Sequence, residues 1–126
     1  MNVSHIKHWP SMTFRDVDAM TDWLSTIGFR EHATYRDDSG AVVHAEWVWD
    51  GGGIMFGVAR DDAFATEPGA SSAYLVVEDP DDVVERAVAA GASVVQAVKD
   101  QDYGGRGGSV RDPEGNLWSF GSYQPG

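Results

Sequence analysis

The sequence predicts an α+β fold of two βαβββ modules in tandem, related by a pseudo-twofold and forming a curved mixed sheet around a cleft. Three observations lead there. The interval from Asp16 to Gly28 equals that from Asp79 to Gly91, so one constant offset, about half the chain, carries the first pair onto the second. A fixed spacing of this length marks a duplicated supersecondary unit. Between each Asp and its Gly runs an apolar stripe of helical period. Each such segment is preceded by one short strand-like run and followed by three.

In the first module, Met12–Arg15 reads as a strand. Asp16 is then placed to accept hydrogen bonds from the orphan amides of a first helical turn. Val17, Met20, Trp23, Leu24 and Ile27 form the buried stripe, and Gly28 supplies the left-handed residue that ends the helix. Strands follow at Arg30–Arg36, Val42–Trp49 and Gly53–Ala59, with turns at Asp37–Gly40 and Asp50–Gly52. The second module repeats the pattern with a strand at Tyr74–Glu78 and Asp79 as the cap. Pro80 falls at the first helical position, where its missing N–H costs nothing. Val83, Val84, Ala87, Val88 and Ala90 form its stripe. Its strands read as Ser93–Lys99, Gly108–Arg111 and Asn116–Tyr123, separated by the loop Tyr103–Gly107 and the turn Asp112–Gly115. A polar stretch from Asp61 to Ser71 joins the modules, which span about residues 5–60 and 71–124. One module has too little apolar mass to stand alone, so residues 1–126 are expected to form a single domain.

Composition narrows the function classes. Twenty acidic residues against nine basic ones give a net charge of −11. That balance opposes binding to a nucleic-acid backbone or an anionic membrane surface, both of which attract basic side chains. It fits either a solvated acidic skin or a field that draws a cationic ligand. The absence of cysteine removes disulfides, thiolate metal sites and a cysteine nucleophile. No segment reads as a signal peptide or a membrane span, so a soluble cytoplasmic protein is expected.

The paired modules, with Arg111-Asp112-Pro113-Glu114-Gly115-Asn116-Leu117-Trp118 near the C-terminus, resemble the vicinal oxygen chelate superfamily. It comprises glyoxalases, bleomycin-resistance proteins and extradiol dioxygenases. Trp9-Pro10, Phe14-Arg15-Asp16-Val17-Asp18, Asp22-Trp23-Leu24, Gly28-Phe29 and Tyr103-Gly104-Gly105-Arg106 look like its bleomycin-resistance branch. The resemblance implies a small-molecule site in the cleft and a homodimer. It also implies four metal-ligand positions, one in the first and one in the last strand of each module. Carried across residue by residue, these fall on Trp9, Phe56, Ser72 and Ser119. Indole, phenyl and neutral hydroxyl groups are poor ligands for a divalent metal, so neither a metal nor another cofactor is expected.

Such a set instead makes an aromatic pocket with hydroxyls, suited to a small aromatic or cationic molecule. The candidate ligand-binding residues are Trp9, Thr13, Trp47, Trp49, Phe56, Ser72, Tyr74, Arg106 and Ser119. Strand alternation puts Ser11 with Trp9 and Thr13, and Ile54 and Val58 with Phe56, on ligand-facing rows. Met12, Phe14, Leu75, Val77, Trp118 and Phe120 are expected beneath the helices. For each tryptophan, packing in a core or a dimer interface is the competing role. Arg106 sits in a glycine-rich run whose amides and guanidinium could meet an anion, with a flexible hairpin connection as the plainer reading. His44 and Glu46, two apart on one strand, share a face and are the candidate acid–base or ligand pair; a surface ion pair is the plainer alternative. A binding protein is thus set against a glyoxalase-like lyase, isomerase or dioxygenase with a relocated metal.

Overall fold

The computed structural model describes residues 3–63 and 66–125. Its elements are β1 (Ser11–Phe14), α1 (Val17–Thr26), β2 (Arg30–Arg36), β3 (Val42–Trp49), β4 (Gly52–Val58), β5 (Ser72–Val76), α2 (Pro80–Ala89), β6 (Ser93–Asp100), β7 (Arg106–Arg111) and β8 (Leu117–Gly121). They fall into two compact units, residues 1–68 and 69–126. Each unit has one four-stranded sheet, ordered β1-β4-β3-β2 in the first and β5-β8-β7-β6 in the second. In both, the first and last strands of the module pair in parallel and the other pairs are antiparallel. Among the described residues no helix is long and apolar enough to cross a membrane.

The helix punctuation is as the sequence dictates. The Asp16 carboxylate accepts from the Ala19 amide at 3.0 Å, and Asp79 accepts from Asp82 at 3.1 Å. Gly28 and Gly91 have φ of +109° and +118°. Just beyond them, the Phe29 amide donates to the Leu24 carbonyl and Ala92 to Ala87, closing both helices with left-handed caps. Replacing Asp16 or Asp79 by alanine is expected to cost about 1 kcal/mol each in urea denaturation, the usual loss when an N-cap oxygen is removed.

The offset that carries Asp16 onto Asp79 holds through the third strand of each module but not the fourth. It carries Trp47 onto Val110 and Ile54 onto Leu117. Trp47 pairs with Ile54 in the first sheet, yet Val110 pairs with Trp118, the residue after Leu117. The cause is the last turn. Trp49 pairs with Gly52 across two residues, whereas Asp112 bonds Asn116 across three. A one-residue slip turns every side chain of a strand to the other face. Phe56 therefore corresponds to Phe120 rather than Ser119, and Ser119 corresponds to Met55.

This corrects the expected rows. Ile54 and Phe56 are buried with Met12 and Phe14 in the core of the first unit, and Met12 and Phe56 also border a hollow beside β1. The Phe14 and Phe56 rings lie 4.9 Å apart. Their burial shares a core with Val17, Met20, Trp23 and Leu24 of α1 and with Ala45 and Trp47 of β3. In the second unit Leu75, Val77, Val110, Trp118 and Phe120 are buried as expected, together with Val83, Val84 and Ala87 of α2.

The Asp112 turn is a polar knot within this second core. Asp112 is 4% exposed and Asn116 is 1% exposed. One carboxylate oxygen of Asp112 accepts from the amides of Glu114 and Asn116, at 2.8 and 3.1 Å. The other accepts from Asn116 Nδ2 at 2.9 Å and Trp118 Nε1 at 2.8 Å. The Asn116 side-chain oxygen in turn accepts from the Ser71 amide at 3.0 Å, which fixes the entry to β5.

Candidate functional site

The face of the first sheet turned away from its core carries the polar side chains. Ser11 pairs with Met55, Met55 with Glu46, and Glu46 with Ala33, so these four form one row across the sheet. Beside it, Thr13 pairs with Gly57 and His44 with Tyr35. Between the Tyr35–His44 and Arg36–Val42 pairs the register shifts, leaving Val43 as a bulge. A bulge adds local twist and re-aims its neighbour, here His44. A hollow of about 230 Å³ opens on this face, lined by residues that include Ser11, Thr13, His44, Met55, Arg60 and Thr66. Gly57 forms part of its floor, where a Cβ would lie 2.7 Å from the Val43 carbonyl oxygen. Any larger residue would push the strands apart.

The expected pairing of His44 with Glu46 is present in the geometry. His44 Nε2 lies 2.9 Å from Glu46 Oε2, and both side chains are partly exposed. The Tyr35 ring lies 5.9 Å from the imidazole, centre to centre. Across the hollow the hydroxyls of Thr13 and Thr66 are 2.6 Å apart. Arg60 is held by Asp62 at 3.1 Å. Trp9 lies just before β1, its indole N–H donating to the Ile6 carbonyl at 3.3 Å. Its ring covers Gly53, where an added Cβ would come within 2.3 Å of a ring carbon. Gly53 alternates with Met55 and Gly57, so Trp9 continues the open face past the row of Ser11 and Met55.

Trp47 and Trp49 do not reach this face. They lie on the side of β3 that bears Ala45, opposite His44 and Glu46. Trp47 is 9% exposed and packs on Phe56 at 6.2 Å between ring centres. Its indole N–H is buried without an acceptor among the described residues. Trp49 packs against Phe29 at 6.5 Å and against Gly28, 3.2 Å from where a Cβ would stand there.

On the second sheet, Tyr74, Ser119, Ser109 and Gln96 form the row that answers to Ser11, Met55, Glu46 and Ala33. The Ser109 and Ser119 hydroxyls are 2.7 Å apart. Tyr74 lies over Gly121 and donates its hydroxyl to the Tyr123 carbonyl at 2.7 Å. Partial burial, and then the neighbouring Tyr103 and Tyr123, push its phenol above the ordinary range. Ser72 is exposed at the start of β5, opposite Leu117. Arg106 does not hang in a flexible loop: it begins β7, and its guanidinium grips Asp81 at 2.7 and 3.0 Å and Asp100 at 3.4 Å. The Arg106 hydrogen bonds hold the Asp81 carboxyl below its usual range.

Two contributors to the hollow, Arg60 and Thr66, carry no signal in the sequence, and neither does Tyr35, whose ring packs beside His44. Tyr35 follows from the register of the hairpin once the bulge at Val43 is known. Arg60 and Thr66 lie beyond β4, around the polar stretch between the modules, and no local pattern marks them. Among the described residues no three His, Asp or Glu side chains come together as a metal cage.

The described fold has counterparts among solved structures. TioX from Micromonospora sp. ML1 is similar at a TM-score of 0.76 and 29% identity, over 94% of this chain and 99% of that one. The bleomycin resistance determinant encoded on transposon Tn5 is similar at a TM-score of 0.65 and 18% identity, over 94% and 98%. The fosfomycin resistance protein FosX from Mesorhizobium loti is similar at 0.68 and 15%, over 94% and 92%. At the last two identities the likeness is one of fold alone. Uncharacterised proteins of Mycobacterium bovis and Mycobacterium tuberculosis are 50% identical over 48 residues, 38% of this chain. That matched segment spans 32% and 28% of those relatives' own length. The family model of the Glyoxalase/Bleomycin resistance protein/Dioxygenase superfamily matches residues 3–120, nearly the whole chain. With the two βαβββ units built as that family's resemblance implies, the chain belongs to the glyoxalase/bleomycin-resistance/dioxygenase superfamily.

Proposed function

We propose that the protein binds a small aromatic molecule in the hollow on the open face of the first sheet, independently of a metal. The observation that carries this is the hollow itself: hydroxyls, an imidazole and apolar surface converge on about 230 Å³. Sites for drug-sized ligands run from about 300 to 1,000 Å³, and a cavity of about 150 Å³ holds benzene. The space therefore suits a single substituted ring, or one ring of a larger ligand. The chain's net charge of −11 favours cations at long range. The basic groups lining the hollow, His44 and Arg60, favour an aromatic ligand with an acceptor or anionic group over a cationic one.

The test is an amide NMR titration with benzoate, phenol and phenyltrimethylammonium. Shifts gathered at Ser11, Thr13, His44, Met55 and Gly57 support the reading; their absence with all three probes overturns it. Met55→Trp should fill the hollow and weaken binding at least tenfold while leaving the fold intact. A second reading, acid–base catalysis on the bound molecule, draws on the His44–Glu46 hydrogen bond, because general catalysis needs an oriented titratable group at a site.

A further inference from the structure

The hydrogen bond between His44 and Glu46 also says which chemistry the hollow favours. An ionised carboxylate can only accept, so the imidazole must donate its Nε2–H to Glu46. In the neutral ring the lone pair is then on Nδ1, which makes no hydrogen bond among the described residues. The ring itself lines the hollow. The charged and titratable groups around it are Glu46 on its own strand, Tyr35 on β2, and Arg60 beyond β4 with its partner Asp62. Glu46 stabilises positive charge on the imidazole, and Arg60 stabilises negative charge on a ligand opposite it.

We propose that the hollow selects a ring bearing an acidic hydroxyl, a phenol or an enol, and that His44 takes its proton. The ligand O–H breaks, an N–H forms at Nδ1, and the products are a bound oxyanion and an imidazolium whose other N–H remains on Glu46. No further reactant is needed. The inference rests on the binding reading above and adds to it the class of ligand and the role of the dyad.

Absorbance titration with p-nitrophenol tests it, because phenol and phenolate absorb at different wavelengths. The apparent pKa of the bound phenol should fall by about one unit, a tenfold change in ionisation. p-Nitroanisole, which has no proton to give, should bind at least tenfold more weakly. His44→Ala should abolish the spectral shift and lower affinity about tenfold. Glu46→Gln should keep binding but lose most of the shift, because an amide can still accept from Nε2–H without stabilising the imidazolium. If p-nitrophenol binds at Ser11, His44 and Met55 with an unshifted spectrum, or no better than p-nitroanisole, the proton-transfer inference is wrong and the binding reading stands. Binding of phenyltrimethylammonium alone at those residues would likewise sink proton transfer and leave the binding reading in place. If no probe of either titration binds, both fall.

Discussion

Replacing Asp112 by alanine is expected to lower stability by about 3–5 kcal/mol, the range for breaking a buried charge-assisted network. Four donors lose their acceptor at once: the amides of Glu114 and Asn116, the Asn116 side chain and the Trp118 indole. Asp112→Asn should be nearly as damaging. Its oxygen can replace one carboxylate oxygen, but its NH₂ then meets donors already aimed at the other. Guanidinium denaturation of both variants measures the loss. A cost under about 1 kcal/mol would mean that water replaces the carboxylate, and that the knot is not what holds this turn.

The second large effect is a contrast between two buried indoles. Trp118→Phe removes ring volume and the hydrogen bond to Asp112, so about 3 kcal/mol or more should be lost. Trp47→Phe removes similar volume but also an N–H that is buried with no acceptor among the described residues. An unsatisfied buried donor costs about 1–3 kcal/mol, and its removal should offset most of the truncation. Trp47→Phe is thus expected within about 1 kcal/mol of the parent, and the two variants should differ by roughly a hundredfold in folding constant. Equal losses in parallel urea titrations would show that the Trp47 N–H is satisfied in solution.

The site is legible in the sequence in part, for reasons that can be traced to single residues. Alternation along β3 suffices to put His44 and Glu46 on one face, because a period of two is a local property of extended backbone. It also places Trp47 and Trp49 together. Which face looks into a core is not local; it depends on what packs there, and Phe14, Phe56 and α1 settle it for Trp47. The correspondence of Phe56 with Ser119 fails for a related reason. Its assignment assumes a constant spacing into the last strand, and one additional residue in the Asp112–Asn116 turn reverses the faces beyond it. Arg106 reads as loop because Gly104, Gly105, Gly107 and Gly108 surround it. Pairing with Asp100 of β6, a bond from the Ser122 amide to its carbonyl, and the carboxylates of Asp81 and Asp100 make it strand.

By itself the sequence determined the duplicated βαβββ plan, the caps at Asp16 and Asp79, the helix ends at Gly28 and Gly91, and the acidic balance. These rest on interactions within a few residues or on composition, which a linear reading sees directly. Only the tertiary structure decided the burial of Phe56 and Trp47, the packing of Tyr35 beside His44, and the meeting of His44 with Arg60 and Thr66 at one hollow. Those depend on strand register and on contacts between residues far apart in the chain. There, one inserted turn residue or one bulge at Val43 changes which side chains meet.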